Sequence, residues 1–178
     1  MKQTAIVRCL LLSIFLFTLS ACLYSEKTAN DELNDALHEY SQIILEDIPS
    51  DLCLTIYYID SSILTRAPLS AEDLMTFPCV EIIEIKSEEL VEHIALLRKL
   101  DASILQPVQK ESYINARLCY VFEVGESEKL LEVVVTPEFL YKINGYVVVN
   151  GIEVEDNEIF YELIMPFLTE DAHNKLGI

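Results

Sequence analysis

The chain of 178 residues is long enough for one domain with a substantial hydrophobic core, and nothing in its composition marks off a second. It carries 30 Asp and Glu against 12 Lys and Arg, a formal charge of −18. That balance speaks against nucleic-acid binding, which needs a basic patch, and against peripheral attraction to anionic lipid head groups. It suits a basic protein or peptide partner, and it equally suits plain solubility.

At the N-terminus Lys2 and Arg8 form a short positive region, followed by an apolar run from Cys9 to Ala21. The run has signal-peptide length and is too short to span a bilayer comfortably. It ends in Leu19-Ser20-Ala21-Cys22. An ordinary cleavable signal prefers a small residue three positions before the cut, where this chain has Leu19. The segment resembles a bacterial lipoprotein signal, and the four residues match its lipobox throughout. The resemblance covers residues 1 to 22. It implies that residues 1–21 are removed and that the Cys22 thiol is alkylated with diacylglycerol. It also implies acylation of the new amino group by a fatty acid such as palmitate. Each buried CH₂ contributes about 0.8 kcal/mol, so several long chains hold stably where a single one is marginal. Residues 22–30 then make the lipidated Cys and a short tether, and 31–178 a single domain. The protein would be extracytoplasmic, on the cell membrane of a Gram-positive cell or the outer membrane of a Gram-negative one. Leu23 in place of Asp after the Cys resembles outer-membrane sorting in the second case. Lys2 and Arg8 are the only basic residues before Cys22, so their removal leaves a more acidic protein.

Asn30-Asp31-Glu32 marks a helix start, with an N-cap residue and acids in the first turn. Leu33, Leu37, Tyr40 and Ile44 follow at helical spacing, and Pro49 sets the limit. Leu52 to Asp60 is rich in strand formers and apolar on both sides, as a central strand would be. Ser70 to Asp73 resembles a capping box for a short helix that Pro78 stops. Val80 to Lys86 is a second strand. Ser87-Glu88-Glu89 opens the best helix, with an apolar stripe of Leu90, Ile94 and Leu97 flanked by Val91 and Ala95.

Tyr113 to Val124 alternates cleanly. Ile114, Ala116, Leu118, Tyr120, Phe122 and Val124 fall on one face. The more polar face holds Tyr113, Asn115, Arg117, Cys119, Val121 and Glu123. Leu130 to Thr136 returns as its hairpin partner. Asn144-Gly145 and Asn150-Gly151 bracket Tyr146 to Val149 with tight turns. A last helix starts near Asp156 or Asn157 and stops at Pro166, leaving His173 in a C-terminal tail. Strands clustered late, after mixed elements, predict an α+β domain. Its largely antiparallel sheet would have about 4–5 strands, with the helices packed on one face.

Few motifs carry chemistry. The histidines, His38, His93 and His173, lie in no H-E-x-x-H spacing, and no two cysteines form C-x-x-C. Cys53, Cys79 and Cys119 are too few for a disulfide framework. The acid cluster Glu153, Glu155, Asp156 and Glu158 lacks the spacing of a calcium loop and suits a helix N-terminus. No metal and no cofactor is expected, and no catalytic residue stands out. Arg117 is the unusual polar residue: a guanidinium in mid-strand can grip a carboxylate ligand in bidentate fashion, with Asn115 and Tyr113 nearby. An ion pair with a neighbouring acid is the simpler role. The expected function is a membrane-anchored, non-enzymatic module that binds a protein or peptide. The alternative is a small extracytoplasmic hydrolase assembled from scattered Ser, His and acid.

Overall fold

Six strands hydrogen-bond into one open antiparallel sheet: β1 Leu52–Tyr58, β2 Glu81–Lys86, β3 Leu118–Val124, β4 Glu128–Thr136, β5 Tyr146–Val149 and β6 Ile152–Val154. Their order is β2-β1-β3-β4-β5-β6. The helices are α1 Ala29–Glu46, α2 Ala71–Met75, α3 Ser87–Glu92, α4 Ile94–Leu97, α5 Ile159–Glu162 and α6 Glu170–Leu176, with a 3₁₀ turn at Met165–Phe167. This computed structural model describes residues 29–46, 48–101, 105, 108, 115–125, 128–136, 146–155 and 157–177. The sheet lies within one compact unit, Leu33–Ile178. The expected α+β class and antiparallel sheet are present, with six strands instead of four or five. The expected signal peptide and Cys22 lie outside the described residues, as do Asn144-Gly145 and Asp156. Among the described residues no helix is long and apolar enough to cross a membrane.

The larger core forms where α1 packs on the sheet. Leu33, Leu37, Tyr40 and Ile44, the stripe set by helical spacing, are all buried. They share a cluster with Leu54 and Ile56 of β1, Tyr120 and Phe122 of β3, and Val133 and Val135 of β4. Phe160, Leu163, Ala172 and Leu176, from α5, the residue after it and α6, complete the cluster. Aromatic rings tie the layers: Tyr40 meets Phe122 edge to face at 5.1 Å, and Tyr120 meets Phe122 at 6.2 Å. Both buried phenols are satisfied, Tyr40 Oη donating to the Leu97 carbonyl at 3.2 Å and Tyr120 Oη to the Phe160 carbonyl at 3.0 Å. A register shift after Phe122 places Leu130 and Leu131 together in this core.

A second core covers the opposite face, where the alternation led us to expect solvent. Leu74 of α2 packs with Ile59, Leu69, Ala116, Cys119, Val121, Val134 and Val148. Helices therefore lie on both faces. α2 is opened by the expected capping box: Ser70 Oγ accepts from Asp73 N at 3.1 Å, and Asp73 Oδ2 accepts from Ser70 N at 3.1 Å.

Three further expectations change. β3 begins at Leu118 rather than Tyr113, because Asn115 to Arg117 bends to meet the segment after β1. The helix expected from Ser87 is two short ones interrupted at His93, whose ring packs edge to face on Phe167 at 5.0 Å. Val91 then turns outward and is 51 % exposed. Beyond Pro166 the chain forms α6 instead of a tail. Thr169 Oγ1 accepts from Ala172 N at its start, and Gly177 ends it in the left-handed conformation at φ 73°. Asn150 and Gly151 do take the paired positive φ values, 47° and 82°, of a tight hairpin turn between β5 and β6.

Phe122→Ala should destabilise the fold by about 3–5 kcal/mol through loss of a buried ring, while Val91→Ala should stay within about 0.5 kcal/mol. Urea unfolding of the two variants checks this, and similar effects would refute the outward placement of Val91. Burial also pushes the phenols of Tyr40 and Tyr120 above their ordinary value of 10.0. The unfolded chain ionises both above about pH 10 while the folded chain keeps them neutral. This stabilising term is therefore fully present below that pH and is lost as pH rises through it. Urea midpoints should fall across that window, and less steeply in Tyr40→Phe.

Candidate functional site

Arg117 sits where two segments of irregular backbone meet. Its amide donates to the Val135 carbonyl at 3.4 Å, and its own carbonyl accepts from Ile59 N at 3.1 Å. Ala116 N donates to the Leu69 carbonyl at 2.9 Å, and Asn115 Oδ1 accepts from Leu69 N at 3.3 Å. Thr136 Oγ1 donates to the Asn115 carbonyl at 3.1 Å. Residues 59 and 69 are thus pinned to three consecutive residues, and the stretch between them closes as an Ω-loop. Asp60 Oδ1 shapes its start by accepting from Ser62 N at 2.8 Å, and the Ser62 hydroxyl together with that amide holds the carboxyl below its usual range. Ser61 N donates to the Lys175 carbonyl at 2.8 Å, tying the loop to α6.

The Arg117 side chain is 1 % exposed. Its Nη2 donates to Thr65 Oγ1, in the loop, over a long 3.5 Å. Among the described residues Nε and Nη1 have no hydrogen-bond partner. No ion pair with a neighbouring acid is present at Arg117 among the described residues, so the simpler role expected for it is not the one seen. Asn115 is close in sequence, but its carboxamide oxygen is engaged by Leu69. Tyr113 lies outside the described residues. The loop and Thr65 are what the sequence reading missed; the Asp60-Ser61-Ser62 turn was a signal for the loop, but nothing in the sequence linked that loop to Arg117.

Farther along the same sheet face, cross-strand neighbours form rows. Ile82, Tyr57, Cys119 and Val134 stand side by side across β2, β1, β3 and β4. The next row is Glu84, Thr55, Val121 and Glu132, and the next is Lys86, Cys53, Glu123 and Lys129. Cover thins towards β2, which ends the sheet. There Ile82 is 52 % exposed, Tyr57 is half-buried and Glu84 is exposed. Burial pushes the Tyr57 phenol up, and the charges of Glu123 and Glu84 push it further. An aromatic ring thus lies among carboxylates beside an open strand.

The remaining chemistry-bearing residues do not converge. His38 faces Gln42 on α1 at 3.1 Å, His93 packs on Phe167, and His173 is on α6. Cys53, Cys79 and Cys119 are free thiols, and burial raises the pKa of Cys119. Among the described residues no three His, Cys, Asp or Glu side chains are placed to hold a metal ion. A cavity of about 280 Å³ is lined by Tyr40, Ser41, Ile44, Arg98, Leu100 and Asp101. No protein-family model, no curated protein and no solved structure matches this chain.

Proposed function

We propose that this protein is a membrane-tethered, non-enzymatic interaction module of the bacterial cell envelope, held by lipid on Cys22. The observation that carries the interaction reading is the open end of the sheet at β2. An edge strand offers unpaired backbone groups to an extended segment of another chain. Here it also presents Ile82 beside Tyr57, with Glu84 one row farther on and Glu123 of β3 two rows farther on. The matching partner is a basic protein or peptide segment. A Lys or Arg side chain would sit over the Tyr57 ring between the two carboxylates, and an apolar side chain would cover Ile82. The formal charge of −18 would steer such a partner from a distance. The anchor reading rests on Leu19-Ser20-Ala21-Cys22 and the apolar run before it.

Two measurements test this reading. Cys22→Ser should abolish incorporation of labelled fatty acid and move the protein from membrane to soluble fractions; a variant that stays on the membrane would show that the lipid is not the anchor. For the interaction, a partner recovered from solubilised membranes should bind more slowly as salt rises, because exposed charges are screened beyond about 8 Å at physiological salt. Glu84→Gln should slow association, and Ile82→Ser should speed dissociation at a cost on the order of 1 kcal/mol. A partner that is itself acidic, with a salt-independent rate, would refute the electrostatic match.

A further inference from the structure

We infer that Arg117 and the Ω-loop from Ile59 to Leu69 form a binding site for a carboxylate, separate from the β2 edge. Arg117 lies just before β3, and Glu123 is six residues farther on, about 20 Å along the strand. The site is built around one buried group. Arg117 is 1 % exposed, and among the described residues two of its three side-chain nitrogens have no hydrogen-bond partner. The third makes only the 3.5 Å contact to Thr65. A buried cation with open donors is what an oxyanion completes.

The surroundings select among oxyanions. The carboxylate nearest in sequence within the loop, Asp60, is turned to Ser62 N. Ala116 precedes Arg117, Ile59 N bonds to the Arg117 carbonyl and the Leu69 carbonyl accepts from Ala116 N; all three are buried apolar residues of the second core. A single guanidinium in apolar surroundings balances one negative charge, and its planar fork matches the two oxygens of a carboxylate. A phosphate would bring additional charge, and among the described residues no second buried cation is present to meet it. The loop also supplies a route in. Its two ends are fixed by backbone bonds, whereas its crown holds few apolar contacts: Leu64 is 86 % exposed, and Ser62, Arg66, Ala67 and Pro68 are exposed as well. Segments of this kind open locally while the core stays folded. The ligand is a monocarboxylate, whether a small acid or the C-terminus of a peptide. Its oxygens would engage Nε or Nη1 together with the second hydrogen of Nη2, with Thr65 Oγ1 alongside.

The test uses the full-length protein in detergent, with thermal unfolding followed by circular dichroism at fixed ionic strength. Propionate, and an acetylated dipeptide with a free C-terminus, are each compared with chloride and with the amidated dipeptide. The midpoint should rise with propionate, with the free-acid dipeptide, or with both. If only propionate acts, the ligand is a small acid; if the dipeptide acts more strongly, it is a chain terminus. The amidated dipeptide should do nothing. Arg117→Met should unfold at or above the native midpoint without ligand, since it removes a buried unpaired charge. It should weaken carboxylate binding by roughly tenfold or more. Arg117→Lys, which keeps the charge and loses the fork, should bind with intermediate strength, and it stands in should the Met variant not fold. No rise with any carboxylate, an equal rise with the amide, a rise with inorganic phosphate alone, or an unchanged response in Arg117→Met or Arg117→Lys would each overturn the proposal.

Discussion

The structure depends on the burial of β1, β3 and β4 on both faces. One face packs on α1, α5 and α6 through Tyr40, Tyr120 and Phe122; the other packs on α2 and the 59–69 loop through Leu74, Leu69 and Ile59. An antiparallel sheet needs only one covered face. Covering the second desolvates whatever polar side chain stands there, and Arg117 does. A lone buried ion loses several kcal/mol of hydration even after relaxation. The Arg117 site is therefore a consequence of the second core.

The same constraint explains why the sheet is open where it is. α2 and its neighbours cover the rows near Cys119 and Val134, and the cover thins before it reaches β2. At that end Glu81 is held from the first face, by Tyr58 Oη at 3.0 Å and Lys175 Nζ at 2.7 Å. The lysine also meets Asp171 at 2.6 Å, so α6 clamps one side of the edge strand. Ile82, Glu84 and Lys86 alternate with it and point to the other side. Edge strands are commonly protected by charges, and Glu84 and Lys86 do that here. Ile82 between them works against that protection.

How much was legible in the sequence follows from how local each feature is. The α1 stripe, the Ser70–Asp73 capping box and the Asn150-Gly151 turn all sit within a few residues, and each appears where its spacing placed it. The alternation in β3 separated Leu118, Tyr120 and Phe122 from Cys119 and Val121 correctly. It could not say that the second set would also be buried, because that cover comes from α2 and a loop far away in the chain. Arg117 was noticed as a mid-strand cation. Its true setting, at a bend pinned by Leu69 and Ile59, depends on bonds spanning more than 45 residues. The helix after Ser87 failed for a related reason. The Ser87 hydroxyl donates to the Ser50 carbonyl at 2.9 Å and does not cap its own helix, and His93 packs on Phe167. Tertiary contacts there override a good helical pattern.

Surface charge connects the two proposed sites and gives them opposite salt responses. On the proposed reading, a field from many carboxylates would attract a basic segment to the β2 edge, and added salt would weaken that attraction. The same field would repel an approaching carboxylate, so salt should help the anion reach the site while hindering the basic partner. Deep burial limits the effect on the bound anion, since the contact itself is shielded from the screening ions. The expected consequence is kinetic: salt changes how fast the anion enters far more than how tightly it is held. A surface that recruits cations and an interior that holds one anion can thus coexist on one small sheet, because screening acts strongly on the exposed site and weakly on the buried one.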